Sequence, residues 1–585
     1  MSLDNDPPAH RFLGSTRAAT FEWVAWIVAV FALLTNGYLL RFLEPAISRG
    51  ALVGTLLVAA AAFTAVNRLG LPSSADAWRS RARSAVVPAL LVAILALAFS
   101  VRVSGIDYGL PQSYVSDEYD YVASALTRLK RGDFNPRWWH YPSLQPYLAS
   151  ATYLAVFLRE VPSGRWSSIH QVVEEDMLYW GRFLSVGFGT ATVFVTFLLG
   201  RHLFGARVGL MAAALLSVLP GMVEHSQYNK PDAVLYFLAV VSVLVTLTYF
   251  DRPGVRRSLA SGVAIGFVVA TKYNGALVVI PFVLAVALAL GRKTLVRADL
   301  YVGLATAGLT FLVLNPYFLP DLPRALDHMG SEMYSYAVGG RPGVEGDNNW
   351  WTHAKYTAGF GAGLLPALFG LGGLVLLLRR VDARTAIFLS FPIAHYAHYS
   401  AQKINWPGNL LPVFAFLAIA AAYAASALVR ALFRRKITAS VIGLESFACA
   451  GVVAVLAFSP LSVTRAYNAR LNMPDAGNVA RGWINAALPP GTVIAVERHA
   501  PVPDRGEFQV LFEARIVAKP LDAYRELGVE YLVASSMVYE RFGPGHRITK
   551  AYDDLFRRTT LVKEFGPVDG RLQGPTIRVL AVPAE

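Results

Sequence analysis

The sequence predicts an α-helical polytopic membrane protein of about thirteen transmembrane helices, with a small C-terminal α/β domain outside the cytoplasm. Three observations predict it. Of 585 residues, 55% are hydrophobic and 16% charged, where an ordinary soluble domain carries about 25% charge. Apolar runs of roughly 20 residues recur along most of the chain, each long enough to cross about 30 Å of hydrocarbon. Basic residues gather in the short segments between those runs, the pattern that sets membrane orientation.

In order, the N-terminus with Arg11 and Arg17 starts in the cytoplasm, and spans near 22–42 and 51–67 form a hairpin. The first is no cleavable signal, because it lacks a small-residue cleavage site and further spans follow. The chain returns to Arg79, Arg81 and Arg83, and a span over 86–103 carries it outward. An amphipathic stretch, 104–180, forms the first large outer loop. Its run Leu144–Leu158 is short for a crossing and would put the Arg201–Arg207 loop outside, so it is laid along the outer interface. Spans follow near 182–200, 207–223, 232–250, 257–271, 275–290 and 299–316, then a second outer loop, 317–355. The last four lie near 357–378, 384–400, 409–428 and 438–460.

Three parts result: 1–85, a cytoplasmic tail and extra hairpin; 86–464, a transmembrane domain; and 465–585, an extracytoplasmic domain. The last alternates helix and strand (Gly482–Ala487, Thr492–Val496, Leu521–Leu527, Tyr531–Ala534, Ile577–Val582), as a small α/β domain does. It carries no GxGxxG after a strand. The net charge of +14 does not indicate nucleic acid, since Arg256, Arg257, Arg292, Lys293, Arg379, Arg380, Arg434 and Arg435 sit in short inter-span loops. The one cysteine, Cys449, excludes an intrachain disulfide and a cysteine-built metal site.

Chemistry concentrates in a few segments. Ser116-Asp117-Glu118-Tyr119-Asp120-Tyr121 brings three carboxylates to the membrane surface, where buried, unpaired acids are costly. Such a carboxylate can take the proton of an attacking hydroxyl; the plainer reading is a solvated helix start. Gly132-Asp133 and His140-Tyr141-Pro142-Ser143-Leu144 follow in the same loop, beside Trp138 and Trp139 as belt residues. Asp232 in Asn229-Lys230-Pro231-Asp232 is either a helix cap or part of a polar site with Asp117. Lys272 in Thr271-Lys272-Tyr273-Asn274 and Lys403 in Gln402-Lys403-Ile404-Asn405 are snorkelling anchors or point charges for a phosphate.

These segments, with Asn315-Pro316-Tyr317-Phe318 and Leu410-Leu411-Pro412, resemble in order and spacing the GT-C superfamily of membrane glycosyltransferases. The likeness is to the bacterial group related to protein O-mannosyltransferases and the lipid A aminoarabinose transferase, over roughly 86–460. It implies a polyprenyl-phosphate-linked sugar as donor and a lipid, glycan or protein acceptor, in the plasma (inner) membrane. It implies Asp117 as general base with Glu118 beside it, and Asp232, Lys272, Tyr273, His140, Tyr141 and Lys403 around the substrates. Two departures matter: Pro142-Ser143 replaces the family's Pro-Pro, and Pro407-Gly408-Asn409 stands where the family often has Pro-Arg-Tyr, so that arginine is absent. No cofactor is implied, except that Asp117, Asp120, Asp232 and His140 are candidates to share a divalent cation, on which relatives differ. A transporter or flippase for lipid-linked glycans, or a non-catalytic scaffold, are the competing readings. A carrier would place polar groups near the midplane, often with internal repeats; here they crowd to one face.

Overall fold

The structure is a computed structural model that describes residues 75–433 and 441–583, apart from 113, 114, 116, 342, 343, 347, 544, 568 and 569. The N-terminal hairpin expected at 22–67 lies outside the described residues. The chain divides into two compact units, Met1–Leu97 and Ala98–Glu585. The first contributes the start of the helix Ala75–Val103; the second holds everything that follows.

Among the described residues six helices are long and apolar enough to cross a membrane: Val86–Val103, Glu174–Phe204, Asp232–Asp251, Tyr273–Lys293, Pro407–Phe433 and Phe447–Leu471. Shorter apolar helices lie at Ala206–Val218, Ala298–Leu314 and Leu364–Leu378. Their unpacked faces are oily, with Leu309, Val313, Leu432, Phe447 and Phe458 more than 60% exposed, a surface that only lipid or a partner covers without penalty. Small residues let the backbones close up. A Cβ added at Gly262 of Val255–Thr271 would stand 2.3 Å from the Gly303 carbonyl of Ala298–Leu314.

Two features of the described helices refine the expected spans. The final helix runs on to Leu471 rather than ending near 460. Its polar residues there bond inward instead of breaking the helix: Thr464 Oγ1 donates to the Val218 carbonyl at 2.9 Å and Asn468 Nδ2 to that of Val101 at 2.6 Å. The first long loop is ordered by two helices, Glu118–Arg131 and Leu144–Glu160. Ala149, Tyr153 and Val156 pack on Val122, Ala125 and Leu126, so Leu144–Glu160 is held against Glu118–Arg131.

The C-terminal domain is a five-stranded sheet between helices. Strands β1 (Val493–Glu497), β2 (Gln509–Glu513), β3 (Tyr531–Ser535), β4 (Thr560–Phe565) and β5 (Ile577–Ala581) lie in the order β2-β1-β3-β5-β4. The first three are parallel, and β5 is antiparallel to both its neighbours. Alternation with period two supplies two cores. Ala495, Leu532 and Leu580 meet Leu521, Tyr524 and Tyr552 on one face; Ile494, Val533 and Val579 meet Ala476, Ala480 and Ile484 on the other. Sequence reading missed β2, β4 and the helix Arg547–Arg558. Three of six β4 residues are polar or charged and five of the six are exposed, and the helix is only weakly apolar.

Glu497, at the end of β1, is fully buried. It accepts from Ser535 N at 2.6 Å, Ile516 N at 3.2 Å and the Tyr552 hydroxyl. Burial, opposed by those hydrogen bonds, pushes its carboxyl up to about 7. The folded domain therefore binds this proton more tightly than the unfolded chain does. The stability it contributes is complete below about pH 4.5 and is lost as pH rises through about 7, on the order of 3 kcal/mol. Glu497→Gln is expected to remove that slope, read as a melting temperature of the domain that gains on wild type as pH rises from 4.5 to 7.5 (roughly the window above). A gap independent of pH would refute it.

Candidate active site

The site is built on a buried ion pair. Arg182, in the first part of Glu174–Phe204, and Glu118, at the start of its helix, are both fully buried. The guanidinium meets the carboxylate in a fork, Nε to Oε1 at 2.9 Å and Nη2 to Oε2 at 2.8 Å. Arg182 Nη1 also donates to the carbonyls of Ile106 and Tyr108, at 2.8 and 2.7 Å. Glu118 Oε1 accepts in addition from Asn229 N at 2.9 Å. One pair thus ties together the segment after Val103, the loop helix and the turn before Asp232.

Asp117 precedes this clamp. It caps the helix from a left-handed backbone, φ 68°, a conformation open to Asp and Asn at lower cost than to most residues. Held there, Asp117 lines a cavity of about 320 Å³ together with Tyr121, Tyr141, Asp232 and Lys272. Asp117 and Lys272 come to this cavity from stretches more than a hundred residues apart. Lys272 Nζ donates to Asp232 Oδ1 at 3.1 Å and to Asn409 Oδ1 at 3.0 Å, and lies 5.6 Å from the Tyr141 ring. An ammonium has three donors, so one is left toward the cavity. Asn409 is fixed in turn, its carbonyl 2.7 Å from His395 Nε2.

Two further cavities adjoin this one. A space of about 180 Å³ shares Tyr141, Lys272 and Tyr336 with it, and its further lining includes Tyr273, Met329, Met333 and Tyr399 beside the polar His140, Glu332 and Gln402. A wider groove of about 950 Å³ shares Asp117, Arg498 and His499 and runs along the C-terminal domain past Arg481, Arg505 and Phe512. Lys272 stands at one junction and Asp117 at the other.

The remaining expected residues divide. His140 and Tyr141 line the smaller space; His140 stands 3.4 Å from Glu332 and stacks on His328. Tyr273 lines it too and donates its hydroxyl to the Trp139 carbonyl at 3.0 Å. Glu118, enclosed by Arg182 and Asn229, is fully buried and lines none of these three cavities. Next to Lys403, Ile404 is buried and bridged to Glu345; alternation along extended backbone turns Lys403 outward, where it is exposed and lines none of the three cavities.

The four candidate metal ligands do not gather. His140 faces the smaller space and Asp120 pairs with Arg498 at 3.0 Å. Among the described residues no group of three or more His, Cys, Asp or Glu is placed to hold a metal. The missing arginine has a steric reason: at Gly408 a Cβ would lie 2.6 Å from the His225 ring. Cations arrive instead from Lys230, Arg341, Arg498 and Arg541. Sequence reading did not assign these, nor Arg182, although an arginine at the edge of an apolar run is itself a signal.

Solved structures share this architecture. ArnT from Cupriavidus metallidurans in the apo state superposes with a TM-score of 0.54 at 15% identity, covering 86% of this chain and 99% of that one. The same protein bound to undecaprenyl phosphate gives 0.53 at 16% identity, with 86% and 98% covered. This is the GT-C fold. The archaeal oligosaccharyltransferase AglB from Archaeoglobus fulgidus, in complex with an inhibitory peptide and a dolichol-phosphate, matches at 0.53 and 14% identity over 84% of this chain and 74% of that one. The family described as dolichyl-phosphate-mannose-protein mannosyltransferase matches residues 171–317. No curated protein matches the sequence. The 171–317 stretch contains Arg182, Lys230, Asp232 and Lys272, while Asp117 and the C-terminal cations lie outside it.

Proposed function

We propose that this chain is a membrane glycosyltransferase that moves one sugar from a polyprenyl-phosphate donor to a lipid, glycan or protein acceptor on the extracytoplasmic side. One observation carries the reading: Asp117 and Lys272 line a single cavity. In the reaction, the acceptor oxygen attacks the anomeric carbon as Asp117 takes its proton. The bond from that carbon to the phosphate oxygen breaks, its electron pair leaves with the phosphate, and the anomeric centre inverts. The free donor of Lys272 meets the charge developing on the phosphate, with Asp232 and Asn409 holding the ammonium in place. Tyr141 and Tyr336, shared with the Met-lined space, mark where the lipid enters. Neighbouring ArnT and AglB structures, bound to undecaprenyl phosphate and dolichol-phosphate, support a donor of that chemistry.

In this reading residues 86–464 are the catalytic membrane domain and 465–585 lie outside the plasma (inner) membrane. With the hairpin in 1–85, the count is thirteen spans and the N-terminus is cytoplasmic. A divalent cation between Asp117, Asp232 and the phosphate is tested by chelation in the same assay.

The experiment is sugar transfer in proteoliposomes with a panel of lipid-linked donors. A covalent product is expected from polyprenyl-phosphate sugars, and Lys272→Met is expected to lower kcat/KM about a hundredfold, the loss of one charge-assisted contact in a dry site. Translocation of the donor without a covalent product, or a Lys272→Met variant as fast as wild type, would overturn the assignment.

A further inference from the structure

The cavity holds more positive charge than one phosphate group needs. Lys230, Lys272, Arg341, Arg498 and Arg541 face two carboxylates, Asp117 and Asp232. Three of these cations are already paired: Lys272 with Asp232, Arg341 with Glu332 at 2.6 Å, and Arg498 with Asp120 at 3.0 Å. Lys230 and Arg541 have no acid within ion-pair distance among the described residues. The Arg498–Asp120 pair is itself half exposed or more on both sides, so it is weak and readily exchanged for another anion.

The fold explains why they converge. β2, β1 and β3 are adjacent and parallel, so their carboxyl ends share one edge, the edge at which open parallel sheets receive ligands. Arg498 and His499 follow β1 directly, and Arg541 follows the short helix Ser536–Tyr539 after β3. His499 is held at φ 65°, with its ring among Arg498, Arg541, Lys230 and Asp117; burial, helped by the two arginines, pushes it down to about 4. At neutral pH it is an uncharged hydrogen-bonding group amid the cations. The C-terminal domain thereby supplies one wall of the cavity.

We infer that Lys230, Arg498 and Arg541, with His499, form a second anion subsite that binds a phosphoryl-type group distinct from the phosphate held at Lys272. This rests on the donor reading above, and it names substrate chemistry that reading leaves open. The group is either the second phosphate of a diphosphate-linked donor or an anionic substituent of the acceptor.

The test is calorimetric titration of the whole protein in nanodiscs with inorganic phosphate, inorganic pyrophosphate and undecaprenyl phosphate. Wild type is expected to prefer pyrophosphate over phosphate by about tenfold, the size of one charge-assisted contact. Arg541→Gln and Arg498→Gln are expected to erase that preference, whereas Lys272→Met weakens both anions alike. No preference in wild type, or a preference that survives both arginine variants, overturns the subsite. Absence of undecaprenyl phosphate binding with the pyrophosphate preference intact would instead sink the donor reading and leave the subsite standing. The source is then read from transfer kinetics. An Arg541→Gln loss larger for diphosphate-linked than for monophosphate-linked donors places the group on the donor. A rise in KM confined to an anionic acceptor over its neutral analogue places it on the acceptor, and neither change counts against the subsite.

Discussion

Asp117→Asn is expected to lower kcat for sugar transfer by about 10²–10⁴-fold, the contribution of a positioned general base. The substitution suits the question because Asn also accepts the left-handed backbone found at this residue, φ 68°. Volume and capping geometry are retained while the proton acceptor is removed. Stability should therefore stay within about 0.5 kcal/mol of wild type, so that the loss of kcat reads the chemistry and not the fold. Asp117→Ala is the contrasting variant: it removes the base and also places an unsuited residue at positive φ, which costs about 1 kcal/mol more. A kcat for Asp117→Asn within about threefold of wild type, far short of what a general base supplies, would remove Asp117 from the chemistry.

Much of this arrangement was legible in the chain because membrane physics writes it there plainly. Runs such as Asp232–Asp251 are long and apolar enough to cross a membrane. Asp117, Asp232 and Lys272 stand out because an ionisable group at a span end is expensive unless it is used. Less legible were interactions that pattern does not encode. Glu118 and Asp117 are chemically alike and adjacent, and only the Arg182 fork separates the anchor from the cavity residue. Lys403 and Lys272 are equally placed in sequence, yet the bridge at Ile404 turns one outward, while Asn409 holds the other inward. Arg498 and Arg541 read as surface charge until the parallel order of β2-β1-β3 brings their strand ends to one edge.

The Arg182–Glu118 pair carries the largest expected effect on stability. Removing one partner of a buried pair leaves an uncompensated charge, at a cost of about 3–5 kcal/mol. Arg182→Met does more than that, because the carbonyls of Ile106 and Tyr108 also lose their donor. Glu118→Gln is milder in charge but orphans part of the guanidinium, and Asn229 N keeps an acceptor only if the amide oxygen faces it. The double variant Arg182→Met/Glu118→Gln contains no buried charge. Its destabilisation should therefore fall short of the sum of the two singles by about 2 kcal/mol or more, the coupling expected of groups in one network. Thermal unfolding in nanodiscs measures it. The same variants separate anchoring from chemistry, since a clamp acts through the position of Asp117. Glu118→Gln should lower kcat less than Asp117→Asn does. Single variants costing less than about 1 kcal/mol, or additive within about 0.3 kcal/mol, would mean that the pair is not what holds the catalytic loop in register.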